Sequence, residues 1–448
     1  MSSPTIGQGR GPEAQERKPE REPEPSFREE TQDALQEGDR TFTPGTAASA
    51  LQHRTFRVLY FGAFASNIGT WMQNVVLGAL AYSLTKSGLF VAVVIFAQLG
   101  PLLLLSPVGG VLADAYDRKV VLGILTIEQA LGSLVLAFVV IGGQPSKVAL
   151  VGVTLFIGIG NALYAPVFSA VLPVLVPRRD LPGAVSLNSV QMNASRVIGP
   201  IIGSFIYAQF GASWVFAINA LSYAMVIFVL TRVVLPPPPA SGAQGLHRLL
   251  EGFVVAKADH VVRRCLVTIF VFSLLCLPFI TEMPKIATDN FNIDPKSTAY
   301  GLLYAAFGFG AVVGALSLGT VLASRSKAAL TRIGLVNFAI LLSVFGLLRS
   351  PLLAYPIIFL LGASYFAVIT ALSTVLQNDL DDAVRGKVMA LWIMGFGGTV
   401  PFGGLAGGAL MERFSVAPVL IAGSIVAIGL MMYADLRTDA GLRRLART

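Results

Sequence analysis

The sequence predicts an all-α membrane protein with twelve transmembrane helices in two pseudo-symmetric six-helix bundles. Three observations lead there. The 448-residue chain is 54% hydrophobic and 13% charged, with a mean hydropathy of +0.71, whereas soluble chains carry about 25% charged residues. Past residue 50 it divides into twelve apolar segments, each near the ~20 residues that cross a bilayer as a helix. A hydrophilic linker separates the sixth segment from the seventh, and residues on its two sides repeat.

Residues 1–50 hold ten acidic side chains against six Lys or Arg and almost nothing large and apolar. They cannot bury enough surface to fold and read as a disordered tail. They show neither the apolar stretch nor the cleavage site of a signal peptide. Net charge is +8 for the chain, and the part beyond the tail is positive. Its charges scatter over short loops instead of forming a basic stripe with aromatics, so no nucleic acid partner is implied.

The apolar segments fall at 57–84, 89–112, 120–141, 148–176, 184–209 and 212–235, then at 265–288, 299–323, 329–348, 352–377, 387–411 and 414–436. The fifth is the weakest, because Asn188, Gln191, Asn193 and Arg196 make it polar for a span. Parity still requires it to cross. With the N terminus inside, the cytoplasmic loops and tail hold twenty Lys and Arg and the outer loops six, the bias that sets membrane orientation. Both termini are therefore expected in the cytoplasm.

Residues 236–264 are the expected cytoplasmic linker between an N-terminal bundle at 51–235 and a C-terminal bundle at 265–437, with 438–448 as a cytoplasmic tail. Pro236 to Pro239 end the sixth segment in extended backbone, and His247 to Arg264 have the pattern of an amphipathic surface helix. His53, His247 and His260 all lie in cytoplasmic flanks. Cys265 and Cys276 share one apolar run, roughly 16 Å apart along a helix, too far for a disulfide. No metal site is implied.

The repeat is visible at Val111, Leu112 and Ala113, which recur as Val321, Leu322 and Ala323, each group placed at the end of an even-numbered span. At an offset of 201, Tyr164 matches Tyr365, Asp180 matches Asp381, Pro200 matches Pro401 and Gly203 matches Gly404. Parallel six-helix repeats belong to transporters that rock two halves around a midplane site.

Between the second and third segments the chain reads GGVLADAYDRK from Gly109 to Lys119. This resembles the signature loop of the major facilitator superfamily, with Gly110, Leu112, Asp114, Arg118 and Lys119 in the matching places. SNIGTWMQ at 66–73, LNSVQMNASRVIGPIIG at 187–203 and RGKVMALWIMGFGGTVPFG at 385–403 are similar to the superfamily's enterobactin-exporter-like subgroup. Ala115 and Asp117 depart from the signature's Arg and Gly, Ser324 replaces the acid of the second-half copy, and Thr154 stands where many proton-driven relatives carry Arg.

The resemblance implies a cytoplasmic latch in which Asp114, with Gly110, Arg118 and Lys119, meets the start of span eleven at Asp381 and Arg385. It also implies a substrate cavity lined by spans one, four, seven and ten. Asn67, Trp71 and Asn74 recur at i, i+4 and i+7 on one helical face, and Asn161, Tyr164, Gln191, Tyr365, Thr370 and Trp392 are further candidates. In span five, Gly199, Pro200 and Gly203 resemble a core that exporters carry there. With Pro401 they are expected to bend helices, since Pro removes a backbone donor and Gly admits close approach; tight packing alone is the competing account.

Glu128 and Arg196 lie roughly 15–18 Å from the cytoplasmic ends of their spans, where a charge is expensive. Both are candidates for proton coupling or substrate contact, with a structural ion pair as the alternative for Arg196. Glu282, after Pro278 and nearer the outer end, is either a third coupling candidate or an interfacial residue. No nucleotide-binding loop, nucleophile elbow or catalytic carboxylate pair occurs, so no enzyme and no cofactor are expected, and the proton gradient is the energy source. The expected function is proton-coupled export of an amphipathic small molecule, a drug or a siderophore, by alternating access. The protein would be a multi-pass monomer in the cell's plasma (inner) membrane. An importer or uniporter, or a transport-inactive sensor or scaffold, are the alternatives.

Overall fold

The computed structural model describes residues 42–233, 235, 245–380 and 382–434, and their regular structure is helical. Ten long helices are uninterrupted: α1 Arg54–Thr85, α2 Gly88–Ala115, α3 Arg118–Val139, α4 Lys147–Val171, α5 Leu181–Phe210, α6 Ala212–Arg232, α8 Thr298–Gly319, α9 Lys327–Leu347, α10 Pro351–Asp379 and α12 Val416–Tyr433. Two are broken. α7, residues 260–291, runs as His260–Val271, a π turn Phe272–Cys276, Pro278–Thr281 and Met283–Phe291, and α11, residues 382–414, as Asp382–Ile393, a π turn Met394–Gly398 and Val400–Phe414. Each π turn sits just before a Pro, whose missing N–H cannot continue the ladder.

Among the described residues, nine helices are long and apolar enough to cross a membrane. The three that fall short are α1 and α5, which carry amides, and α7, which is broken. The weak fifth segment is nonetheless a continuous helix of 30 residues. Large apolar side chains such as Leu104, Phe138, Leu221 and Ile425 point outward, as a bilayer requires and water does not.

The repeat shows in the turns. α1 ends on Lys86 at φ 54° and α7 on Asn292 at φ 53°, while Gly211 between α5 and α6 (φ 89°) is matched by Ser415 between α11 and α12 (φ 70°). Corresponding helix pairs also pack through glycine. Between α2 and α4 a Cβ at Gly109 would stand 2.7 Å from the Leu163 carbonyl oxygen. Between α8 and α10, Cβ atoms at Gly310 and Gly314 would overlap the carbonyls of Phe359 and Ala363 outright. The two halves meet along α2 against α11 and α5 against α8.

Several boundaries move from their expected places. A short helix, Ala47–Gln52, capped by Thr46, begins inside the expected tail and runs past its end. The amphipathic helix of the linker is Gly245–Ala258 and stops before Arg264. Asp259 caps a fresh helix there, accepting from the N–H groups of Val261 (2.8 Å) and Val262 (3.1 Å), so α7 begins at His260. Val321 to Ala323 lie in the turn after α8, whereas Val111 to Ala113 are inside α2. Pro236 to Pro239, the tail up to residue 41 and residues 438–448 lie outside the described residues.

Candidate functional site

The halves are joined by side chains at one end, named here for Gly88. The Tyr82 hydroxyl donates to Asp289 (3.1 Å), and Glu412 accepts from the Ser87 hydroxyl and from the Leu89 N–H (3.1 Å). Ser87 is the N-cap of α2, so Glu412 of α11 sits at the positive end of a helix in the other half. Between them lies Glu282, which is 0% exposed. It is enclosed within the protein: both carboxylate oxygens are buried without a side-chain partner. A Cβ at Gly88 would overlap Oε2, and one at Gly408 would stand 2.9 Å from Oε1. One glycine from each half therefore makes room for it.

At the opposite end, named for Asp114, a cavity of about 410 Å³ lies between α2, α4 and α11. Gly110, Asp114, Pro166 and Lys387 are on its wall, and Asp114 makes no hydrogen bond or ion pair among the described residues. Gly110 has nothing within 4 Å of where its Cβ would be; the close approach belongs to Gly109. Arg118 departs from its expected place. It is buried and turned inward, donating through Nε to the Ala113 carbonyl (3.0 Å) and through Nη1 to the Ala170 carbonyl (3.2 Å). Lys327 does the same in the second half, its Nζ donating to the carbonyls of Leu318, Leu322 and Ala323 at 3.0–3.1 Å. Both cations neutralise helix C-termini. Asp117, the departure from the signature, caps α3 by accepting from the Lys119 N–H (2.8 Å). Arg385 donates to the Leu380 carbonyl (3.2 Å), and Asp381 lies outside the described residues.

Within the first half, Asn67, Asn161, Tyr164 and Gln191 line one cavity of about 190 Å³ with Thr126 and Tyr223. A buried amide network supports it: Asn219 Nδ2 donates to Gln73 Oε1 (2.9 Å) and to Ser133 Oγ (3.4 Å). Asn74 is drawn away, accepting from Gln98 of α2. Trp71 faces Arg196 instead, whose guanidinium carbon is 5.4 Å from the Trp71 ring centroid and 5.2 Å from that of Phe366 on α10. Gly199 and Gly203 explain that placement. A Cβ at 199 would stand 2.5 Å from Trp71 Cβ, and one at 203 would stand 2.8 Å from Met72 Cα, so the glycines let α5 lie on α1. α5 runs unbroken through Pro200, while the interruption expected near Pro401 is the π turn of α11.

In the second half, Tyr365 is buried among Phe272 and Phe307, with ring centroids 6.2 and 5.6 Å away. Trp392 is also in the core. Thr370 gives its carbonyl to the Thr374 hydroxyl (2.7 Å). Glu128 lies on the Gly160 backbone at the α3–α4 contact, where a Cβ would overlap its carboxylate.

One cluster escaped the sequence reading. Asp180, 3% exposed, precedes α5 and accepts from the Ser49 hydroxyl (2.6 Å) and the Gly45 N–H (3.1 Å), and pairs with His53 Nε2 (2.9 Å). Its match with Asp381 was the only available signal.

A family described as "Transmembrane secretion effector" matches residues 45–443. The enterobactin exporter EntS of Shigella boydii serotype 4 is 26% identical over 343 residues, covering 76% of this chain and 81% of the relative. Two solved structures share the fold. A bacterial homologue of the iron transporter ferroportin, in an inward-facing state, has a TM-score of 0.68 at 16% identity and covers 86% of this chain and 99% of that one. The nucleoside transporter NupG has a TM-score of 0.65 at 16% identity and covers 85% and 98%.

Proposed function

The chain belongs to the transmembrane secretion effector family of the major facilitator superfamily and is a secondary transporter; from that premise we propose that it exports an amphipathic small molecule, a siderophore or a drug, by proton-coupled alternating access. The observation that carries this reading is the unequal seam between the halves. Tyr82, Ser87 and Glu412 join them at the Gly88 end, while Asp114 and Lys387 face a cavity at the other. A rocking transporter needs such an inequality and needs to reverse it. The excess of Lys and Arg in the Asp114-end loops supports a cytoplasmic position for that end and for both termini, in the inner membrane. Asp114 is then the proposed latch of the reversed state, Glu128 the proposed proton carrier, and the working unit a monomer. The name of the relative EntS supports export and a siderophore cargo.

Flux of enterobactin and of amphipathic drugs in proteoliposomes tests this. We expect uphill export driven by a pH gradient and lost in Glu128→Gln. Gradient-independent flux would make the protein a uniporter, accumulation in the opposite direction an importer, and no movement of any compound a sensor or scaffold.

A further inference from the structure

We propose that Arg196 anchors the anionic group of an aromatic acid, in a site that both halves build and that neither holds alone. This deepens the export reading and rests on it for the statement that the ligand is carried.

The argument begins with the planar guanidinium. Its central carbon lies over the ring of Trp71 from the first half and over that of Phe366 from the second, 5.4 and 5.2 Å from the centroids. Cation–π contacts use the faces and leave the in-plane N–H donors free. Those donors have no anion: Nε is buried without an acceptor, and among the described residues no carboxylate pairs with Arg196. A guanidinium kept for structure is normally paired, as Arg118 is with two carbonyls, because an uncompensated charge away from water is costly. The fork presents donors suited to a carboxylate, sulfonate or catecholate, and the half-buried Trp71 and Phe366 beside it offer apolar surface to the acid's own ring.

The surroundings hold this geometry in place. Gly199 seats α5 against α1 at Trp71, and Gly308 of α8 approaches the Arg196 backbone so closely that a Cβ would stand 2.9 Å from its carbonyl oxygen. The residue is thus fixed where the halves touch. Moving the halves apart would take Phe366 away from Arg196 and weaken the site, a means of releasing cargo.

The test measures binding of naphthoate and of naphthamide, equal in ring and different in charge, to the full-length protein in nanodiscs by titration calorimetry. Wild type should prefer naphthoate about tenfold or more, the scale of one charge-assisted hydrogen bond. Arg196→Gln should reduce the ratio to about one, and Arg196→Lys should keep part of it. Phe366→Leu should weaken both ligands and leave the ratio unchanged. A wild-type ratio near one, or a preference that survives Arg196→Gln, overturns the proposal; the wild-type comparison needs no variant to fold. Anion preference without any flux in proteoliposomes would leave the site standing and remove export. Flux without anion preference would do the reverse.

Discussion

The two halves share a topology but are stabilised by different chemistry. The first buries amides: Gln73, Gln98, Gln129, Gln191 and Asn219 are all inside, and its helices run unbroken. The second buries rings: Phe272, Phe279, Phe307, Phe338 and Tyr365 form a continuous set of stacked and edge-on contacts, and two of its helices break at π turns. Amides that bond to one another leave polar atoms to face a cavity, whereas a ring cluster fills its space and directs little. The polar cavity accordingly lies in the first half. The interruption in α11 adjoins the contact surface, where Gly398 approaches Leu103 of α2 so closely that a Cβ would stand 2.6 Å from its Cδ1.

Alanine at the repeat-related glycines gives the largest expected effect. At Gly310 a methyl overlaps the Phe359 carbonyl and must force α8 from α10, while at Gly109 it meets the Leu163 carbonyl at 2.7 Å. Gly310→Ala should cost about 3 kcal/mol and Gly109→Ala about 1 kcal/mol, within the range for overpacking. Denaturation in detergent would check this, and equal losses would show that the second half is not the tighter packed.

A smaller effect separates amides from rings. Asn219→Leu leaves Gln73 and Ser133 unpaired and should cost about 1–2 kcal/mol together with flux, because the network backs the cavity. Phe338→Leu should lower stability by about 1–2 kcal/mol and leave flux near wild type. Flux lost equally in both would mean that the halves do not divide the work in this way.

The spans were legible because a run of some twenty apolar residues has few other uses. The break in α7 was not: Pro278 marks its place, but a Pro does not tell whether a helix is interrupted there or runs on, as α5 does through Pro200. Arg118 could be placed in a charged loop, but no pattern tells whether a guanidinium turns outward to a partner or inward to the Ala113 and Ala170 carbonyls. Trp71 and Arg196 stood out as an aromatic and a charge in oil; Phe366 is one more Phe among 28, and only the folded contact of the halves joins it to them. Glu282 likewise needed Gly88 and Gly408, residues far apart in the chain, to be seen as buried.

The smallest expected effect concerns the loop before α5, which is tied to the chain preceding α1. Burial pushes the Asp180 carboxyl up, but donation from Ser49, His53 and Gly45 outweighs it and lowers its pKa from an ordinary 3.8 to about 2. A carboxylate with a depressed folded value contributes its stability above the unfolded value and loses it as pH falls through the folded one. The contribution is therefore complete above pH ~4 and disappears between pH ~4 and ~2. Hydrogen exchange of the segment 45–53, corrected for intrinsic rates, should stay constant from neutral pH to about pH 4 and accelerate below it. Asp180→Asn, which places an amide against His53 Nε2, should exchange faster at every pH by a few-fold, corresponding to a loss of about 1 kcal/mol. Acceleration already between pH 7 and 5 would assign control of this segment to another group, and an unchanged rate in Asp180→Asn would mean that packing of Ala50, not the carboxylate, holds the helix.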